Sequence, residues 1–170
     1  DPSKSGTAYM LVYGLYKQFG QEGLDKIAAN AVVTASSGTT YKGVAAGEYA
    51  VGMTLEYAAQ EYVAGGQKEI KLVYPSEGSY LAPEGMFIIK GAKNMDAAKA
   101  LYDGLLSKES QEAQLVKNFR RPTRTDVAVA SLTTLPDLKS IKIYPVSQDA
   151  AAKEYEAVVQ AWNQAVAKAK

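Results

Sequence analysis

Residues 31–40 read Ala31-Val32-Val33-Thr34-Ala35-Ser36-Ser37-Gly38-Thr39-Thr40. Three β-branched residues in a row make a short strand candidate, and the Ser/Gly/Thr cluster behind them carries the preferred helix-capping types, so a helix is expected from there to Gly47. Outward from this pair the same alternation continues. On the C-terminal side, residues 49–55 are strand-like, 56–63 helical and closed by Gly65-Gly66, and 69–74 strand-like again. On the N-terminal side, Ser5 caps a helix striped by Ala8, Leu11, Leu15 and Phe19 and ended by Gly20, and a short helix near residues 24–29 follows. Strand and helix alternating at this spacing predict an α/β fold, a mixed and mostly parallel sheet flanked by helices, with ligands beyond the strand ends beside helix N-termini.

The rhythm changes after Pro75. Residues 76–85 are rich in turn formers, 86–90 are strand-like, helices are expected near 95–106 and 110–118, and residues 120–124 read as extended because Pro122 and three arginines interrupt any helix. A last helix runs from about residue 148, capped by Ser147 and striped by Tyr155, Val158, Val159, Trp162 and Val166, and is expected to pack back on the lobe of the expected strands 31–35, 49–55 and 69–74 through Trp162.

Composition bounds the function. With 47% hydrophobic and 22% charged residues in 170, the chain has the make-up of a globular protein, and 19 Lys and Arg against 18 Asp and Glu leave no general field to draw nucleic acid or an anionic membrane. No apolar run approaches the roughly 20 residues that span a bilayer, so the chain is not expected to cross a membrane, and its first residues lack the layout of an export signal. Cys and His are both absent. Thiolate nucleophiles, imidazole bases, disulfides and the usual zinc sites go with them, and no cofactor is implied.

Two segments share one design, Lys4-Ser5-Gly6-Thr7 and Ser36-Ser37-Gly38-Thr39-Thr40. Each sets short hydroxyls and a glycine at a helix start, where free amides and the helix dipole form a receptor for phosphate-like or carboxylate anions; plain capping is the competing use of the same residues. The first also looks like the Lys-Thr-Gly box of penicillin-interacting serine enzymes, yet no Ser is followed three places later by Lys, and no Walker, nucleophile-elbow or dinucleotide-binding pattern occurs. Carboxylate pairs such as Glu109 and Glu112 read as solvated helix faces. No enzymatic activity is expected.

Residues 1–9 (Asp-Pro-Ser-Lys-Ser-Gly-Thr-Ala-Tyr), Gly47-Glu48-Tyr49-Ala50-Val51-Gly52 after a Ser-rich helix start, Tyr74-Pro75-Ser76-Glu77-Gly78, Gly91-Ala92-Lys93-Asn94 and the Leu-Leu-Ser-Lys-Glu-Ser-Gln text of residues 105–111 occur in that order. Together they resemble the ferric-ion-binding family of periplasmic solute-binding proteins, whose relatives bind phosphonates and sugar phosphates. The resemblance implies the second structural type of periplasmic binding protein, with residues 1–83 plus 141–170 as the second lobe and 84–140 as part of the first. It implies an incomplete two-lobed architecture, with the opening segment and any export signal outside this chain. It also implies a periplasmic location, or a lipid-anchored extracellular one in a Gram-positive cell, and a membrane ABC permease as partner. By the same resemblance Ser5, Gly6 and Thr7 fall at an anion-holding helix start, Ser36 near a second one and Tyr57 at a ligand position, while the residues themselves add Ser37, Gly38 and Thr39 to the second start and Glu56 beside Tyr57 as ligand candidates. Ferric members carry two adjacent tyrosines there. Here Tyr57 is followed by Ala58, so an organophosphate or phosphonate is expected as ligand and no metal, with Tyr57 as the metal ligand if the ferric alternative holds.

Overall fold

Ser5 adopts an extended backbone (φ −143°, ψ 122°) and its hydroxyl accepts the amide of Ala8 at 3.3 Å. In the computed structural model, which describes residues 1–169, this cap starts α1 (Gly6–Ala29). Gly20 interrupts the element with a positive φ of 65°, a conformation natural only to glycine, so the two helices expected on either side of it run on with a break between them. α2 (Ser37–Ala45), α3 (Glu56–Ala64), α4 (Met95–Leu105), α5 (Lys108–Asn118) and the short α6 (Val129–Leu132) follow. The final helix expected from the sequence is divided at Glu154 into α7 (Gln148–Lys153) and α8 (Tyr155–Lys168), with Ser147 capping the first through the amide of Ala150.

The chain separates into two units. The first holds Asp1–Leu55, Val73–Ala82 and the chain from Lys142 onward; the second holds Glu56–Leu72 and Pro83–Ile141. In the first, Tyr9, Val12, Tyr13, Leu24 and Ala28 of α1 pack against Val158, Ala161, Trp162 and Ala165 of α8, with Ala151 of α7 beside them. The terminal helix thus packs back through Trp162 as its periodicity suggests. Of the expected stripe of α1, Leu15 is buried in this core, whereas Phe19 is exposed and Ala8 and Leu11 are only half-buried; Tyr9 and Tyr13 take their places. Tyr9 can occupy the core because its hydroxyl donates to the carbonyl of Ala151, so no polar atom is left bare. In the second unit Leu115, Val127 and Leu135 form a smaller core, packed against by Leu72, Phe119 and Val129.

The sheet departs from expectation. Residues 31–35, 49–55, 69–74 and 86–90 form no ladder, and the sheet among the described residues is a two-stranded parallel pair, β1 (Ser79–Tyr80) with β2 (Ile143–Tyr144). β1 lies in the stretch read as a turn-rich loop. A β-branched run states a preference for a half-buried pleated surface, while a strand exists only where a neighbour supplies the matching amides and carbonyls. None of the described residues does so here. Several apolar side chains in the expected strands accordingly face solvent, Val51 at 82% and Phe87 at 90% exposure.

β1 anchors to α1 through Tyr80. Its hydroxyl donates to Gln18 at 2.8 Å, its ring meets Tyr144 edge-on at 6.0 Å, and its face lies where a Cβ on Gly14 would come within 2.6 Å. Gly14→Ala therefore forces a rigid ring to move: despite alanine's better helix propensity, worth about 1 kcal/mol, chemical denaturation should show a net loss of about 1–3 kcal/mol. Burial, with a smaller contribution from Tyr144, pushes the Tyr80 hydroxyl up to about 12. A pKa raised on folding gives stability that is complete below the unfolded value near 10 and is lost as pH climbs toward 12. Denaturation of Tyr80→Phe across that window should therefore show a shallower alkaline decline than the parent.

Candidate functional site

The segment before α1 is locked by its own side chains. Asp1 Oδ1 accepts from the amide and the hydroxyl of Ser3 at 3.0 and 2.7 Å, Asp1 Oδ2 pairs with Lys4 Nζ at 3.4 Å, and the Lys4 amide donates to the Asp1 carbonyl at 3.1 Å. This turn delivers Ser5 to the helix mouth. The first amides of a helix have no carbonyl inside it. The Ser5 hydroxyl takes that of Ala8, while Gly6 and Thr7 are exposed residues. A Cβ on Gly6 would meet nothing within 4 Å, so the glycine keeps an approach open and is not required by packing.

The second start is more heavily cross-linked. Ser36 Oγ accepts the Thr39 amide at 3.3 Å and lies 3.1 Å from Thr39 Oγ1; Thr34 Oγ1 donates to the Ser36 carbonyl at 3.1 Å and sits 2.8 Å from Thr40 Oγ1. Ser37 and Gly38 form the first turn, and both are half-buried. The Ser36 and Thr39 hydroxyls are thus committed to the cap, and what α2 offers an anion is the amides of Ser37 and Gly38. Among the described residues no hydrogen bond joins the Ser5–Thr7 segment to the Ser36–Thr39 segment.

Glu56 and Tyr57 open α3 in the second unit, and their partners are two residues that sequence reasoning treated only as an extended charged stretch. Glu56 takes Arg121 in a two-point pair, Nε to Oε2 at 2.7 Å and Nη2 to Oε1 at 2.9 Å, with both side chains largely sequestered. The guanidinium of Arg120 lies 4.0 Å from the centre of the Tyr57 ring, and its Nη1 donates to Glu84 Oε2 at 2.6 Å. Phe119 explains the aim of this Arg-Arg pair. It ends α5 in the left-handed region (φ 53°) while its ring packs on the Leu115 core, and the Arg120 amide returns to the Gln114 carbonyl, so the chain leaves the helix at a fixed angle. The signal was the Phe-Arg-Arg-Pro text itself, a helix stop followed by two guanidinium groups. Ala58 is buried at 2% exposure. Among the described residues no group of three or more Asp or Glu could hold a metal ion, and none of the helices is long and apolar enough to cross a membrane.

A sequence profile of the bacterial extracellular solute-binding protein family matches residues 1–152. The chain belongs to this family. A Haemophilus influenzae protein named only as uncharacterized is 28% identical over 179 aligned residues, which take in 100% of this chain and 51% of that protein. The chain therefore spans about half the length of that curated relative. No solved structure matches it.

The geometry separates caps from charge pairs by cost. Ser5→Ala and Ser36→Ala should each lower stability by about 1 kcal/mol through loss of a helix cap. Glu56→Gln, which strips the two-point partner from a largely sequestered guanidinium, should cost about 1–3 kcal/mol. Glu84→Gln should leave the denaturation midpoint where it is.

Proposed function

We propose that this member of the bacterial extracellular solute-binding protein family is the ligand-capturing component of an ABC importer. It takes a small anion, an organophosphate or a phosphonate, and hands it to a membrane permease without chemical change. The observation that carries the anionic reading is the mouth of α1, where Ser5 completes the cap and the amides of the exposed Gly6 and Thr7 stay available at the positive end of the helix. The amides of Ser37 and Gly38 at α2 are a second contact of the same kind. In this reading residues 1–83 with 141–170 and residues 84–140 contribute to two lobes of a type 2 binding protein, placed in the periplasm or, in a Gram-positive cell, lipid-anchored outside. A family of non-enzymatic binding proteins and a chain without Cys or His both support capture over catalysis. The ferric alternative is the weaker one, since Ala58 stands buried where a second phenolate would be needed and Glu56 is engaged by Arg121.

Gly6→Ala tests the site cleanly. The new methyl meets open space, so the melting temperature should hold, yet it intrudes on the amides an anion would approach. In isothermal titrations of the full-length protein with inorganic phosphate and glycerol 3-phosphate, Gly6→Ala and Thr7→Ala should each weaken binding by about fivefold or more, the equivalent of about 1 kcal/mol. Unchanged affinity in both would reject the α1 site. A visible tyrosinate band on adding ferric citrate, lost in Tyr57→Phe, would instead establish the ferric carrier.

A further inference from the structure

Two adjacent arginines in the second unit have been given different work. Arg121 is held at two points by Glu56 with side-chain exposures of 15% and 24%, the geometry of a fixed strut. Arg120 is held at one nitrogen by Glu84, and their side chains are 37% and 75% exposed. The centre of the Tyr57 ring lies 4.0 Å from the Arg120 guanidinium carbon in cation–π contact. A guanidinium carries five donors in a rigid fork that fits the paired oxygens of phosphate or carboxylate, so one oxygen of Glu84 on one nitrogen, with the Tyr57 side chain as a second partner, still leaves donors of the fork for a ligand. Glu84 stands between Pro83 and Gly85 on a segment with no helix or strand to hold it.

From this geometry we infer that Arg120, oriented by Tyr57, is an anion-recognition group, and that Glu84 occupies it in place of the anion until a phosphate-type ligand displaces the carboxylate. This rests on the reading of the protein as an anion carrier but names a contact distinct from the helix starts of the first unit. Exchange is energetically reasonable. A single-point, solvent-exposed ion pair contributes little, whereas a forked guanidinium–phosphate pair is among the stronger charged hydrogen bonds. Tyr57 supplies the orientation in advance, so the fork need not be ordered when the ligand arrives.

The exchange makes two substitutions act in opposite directions. In full-length protein at low ionic strength, titrated with inorganic phosphate and with glycerol 3-phosphate, Glu84→Gln should tighten binding of both by about 1.5- to 5-fold, because the competing carboxylate is gone. Arg120→Gln should weaken both by about tenfold or more, and Arg120→Lys should fall between, keeping the charge but losing the fork. Glycerol, which lacks the anion, should bind none of the variants detectably. If both phosphates bind the parent protein and Glu84→Gln fails to tighten them, the inference is overturned while the carrier reading stands. If neither phosphate binds the parent, both fall together. Should Arg120→Gln not fold, the Glu84→Gln titration still decides.

Discussion

The packing of α1 on α8 is the constraint on which the first unit depends. Gln21 and Ala161, joined by a 3.1 Å hydrogen bond, are 140 residues apart in the chain. Closing a loop of that size costs about 4 kcal/mol in chain entropy beyond a constant. Burying Tyr13, Leu24, Val158 and Trp162 together returns on the order of 10 kcal/mol, an upper figure because an unfolded chain already hides part of that surface. The ion pairs that flank the seam, Lys17 with Glu154 and Lys168 with Asp25, are open to solvent and screened. They set register; apolar burial supplies the stability. The mouth of α1, with its unused amides, is carried on the helix that this seam immobilises.

What could be read in advance follows the same division between local and non-local causes. Helix starts depend on the few residues around them, so Ser5, Ser36 and Ser147 cap helices as their neighbours suggest, while Ser107 caps α5 two residues before the start expected for it. Stops are equally local: Gly20 breaks α1, and Gly47 and Gly66 take positive φ just beyond α2 and α3. Strands are not local. Residues 31–35, 49–55, 69–74 and 86–90 have the right residues, but pairing needs a second segment in register, and the pair that does form, Ser79–Tyr80 with Ile143–Tyr144, is assembled across more than sixty intervening residues that carry no sign of it. The choice of buried face on α1 was partly hidden for a related reason. Leu15 was legible as buried, but the burial of Tyr9 beside it depends on α8 to pack against and on a carbonyl of α7 for its hydroxyl.

The candidate ligand residues divide along another line. A serine at a helix mouth can cap or can bind, and the residue type is the same for both. Ser36 and Thr39 are taken up by hydrogen bonds to one another and to the backbone. Ser5 spends its oxygen on one amide and leaves two neighbours uncovered. What separates the two helix starts is therefore which amides already have an acceptor, a matter of three-dimensional hydrogen bonding and not of residue type.

Charge adds a constraint of its own. With 19 basic against 18 acidic residues the molecule as a whole cannot concentrate an anion from solution, so if the proposed anionic ligand is right its recognition has to come from local donors whose own counter-charges are absent, weak or removable. Arg121 fails that condition because Glu56 holds it at two points in a largely sequestered pair, and withdrawing the carboxylate would strand the cation. Lys17 and Lys26 are each matched by a glutamate, which raises both above the ordinary lysine range through hydrogen bonding and charge. The backbone amides of Gly6 and Thr7 meet the condition, since an amide has no counter-ion to lose. On the inference drawn above, Arg120 meets it in a second way, because its counter-ion is the more exposed partner and sits on a segment outside any helix or strand. On the proposed anionic reading, a nearly neutral binding protein is thereby driven toward helix starts and displaceable pairs, and away from the lysine-rich surface that would answer every anion alike.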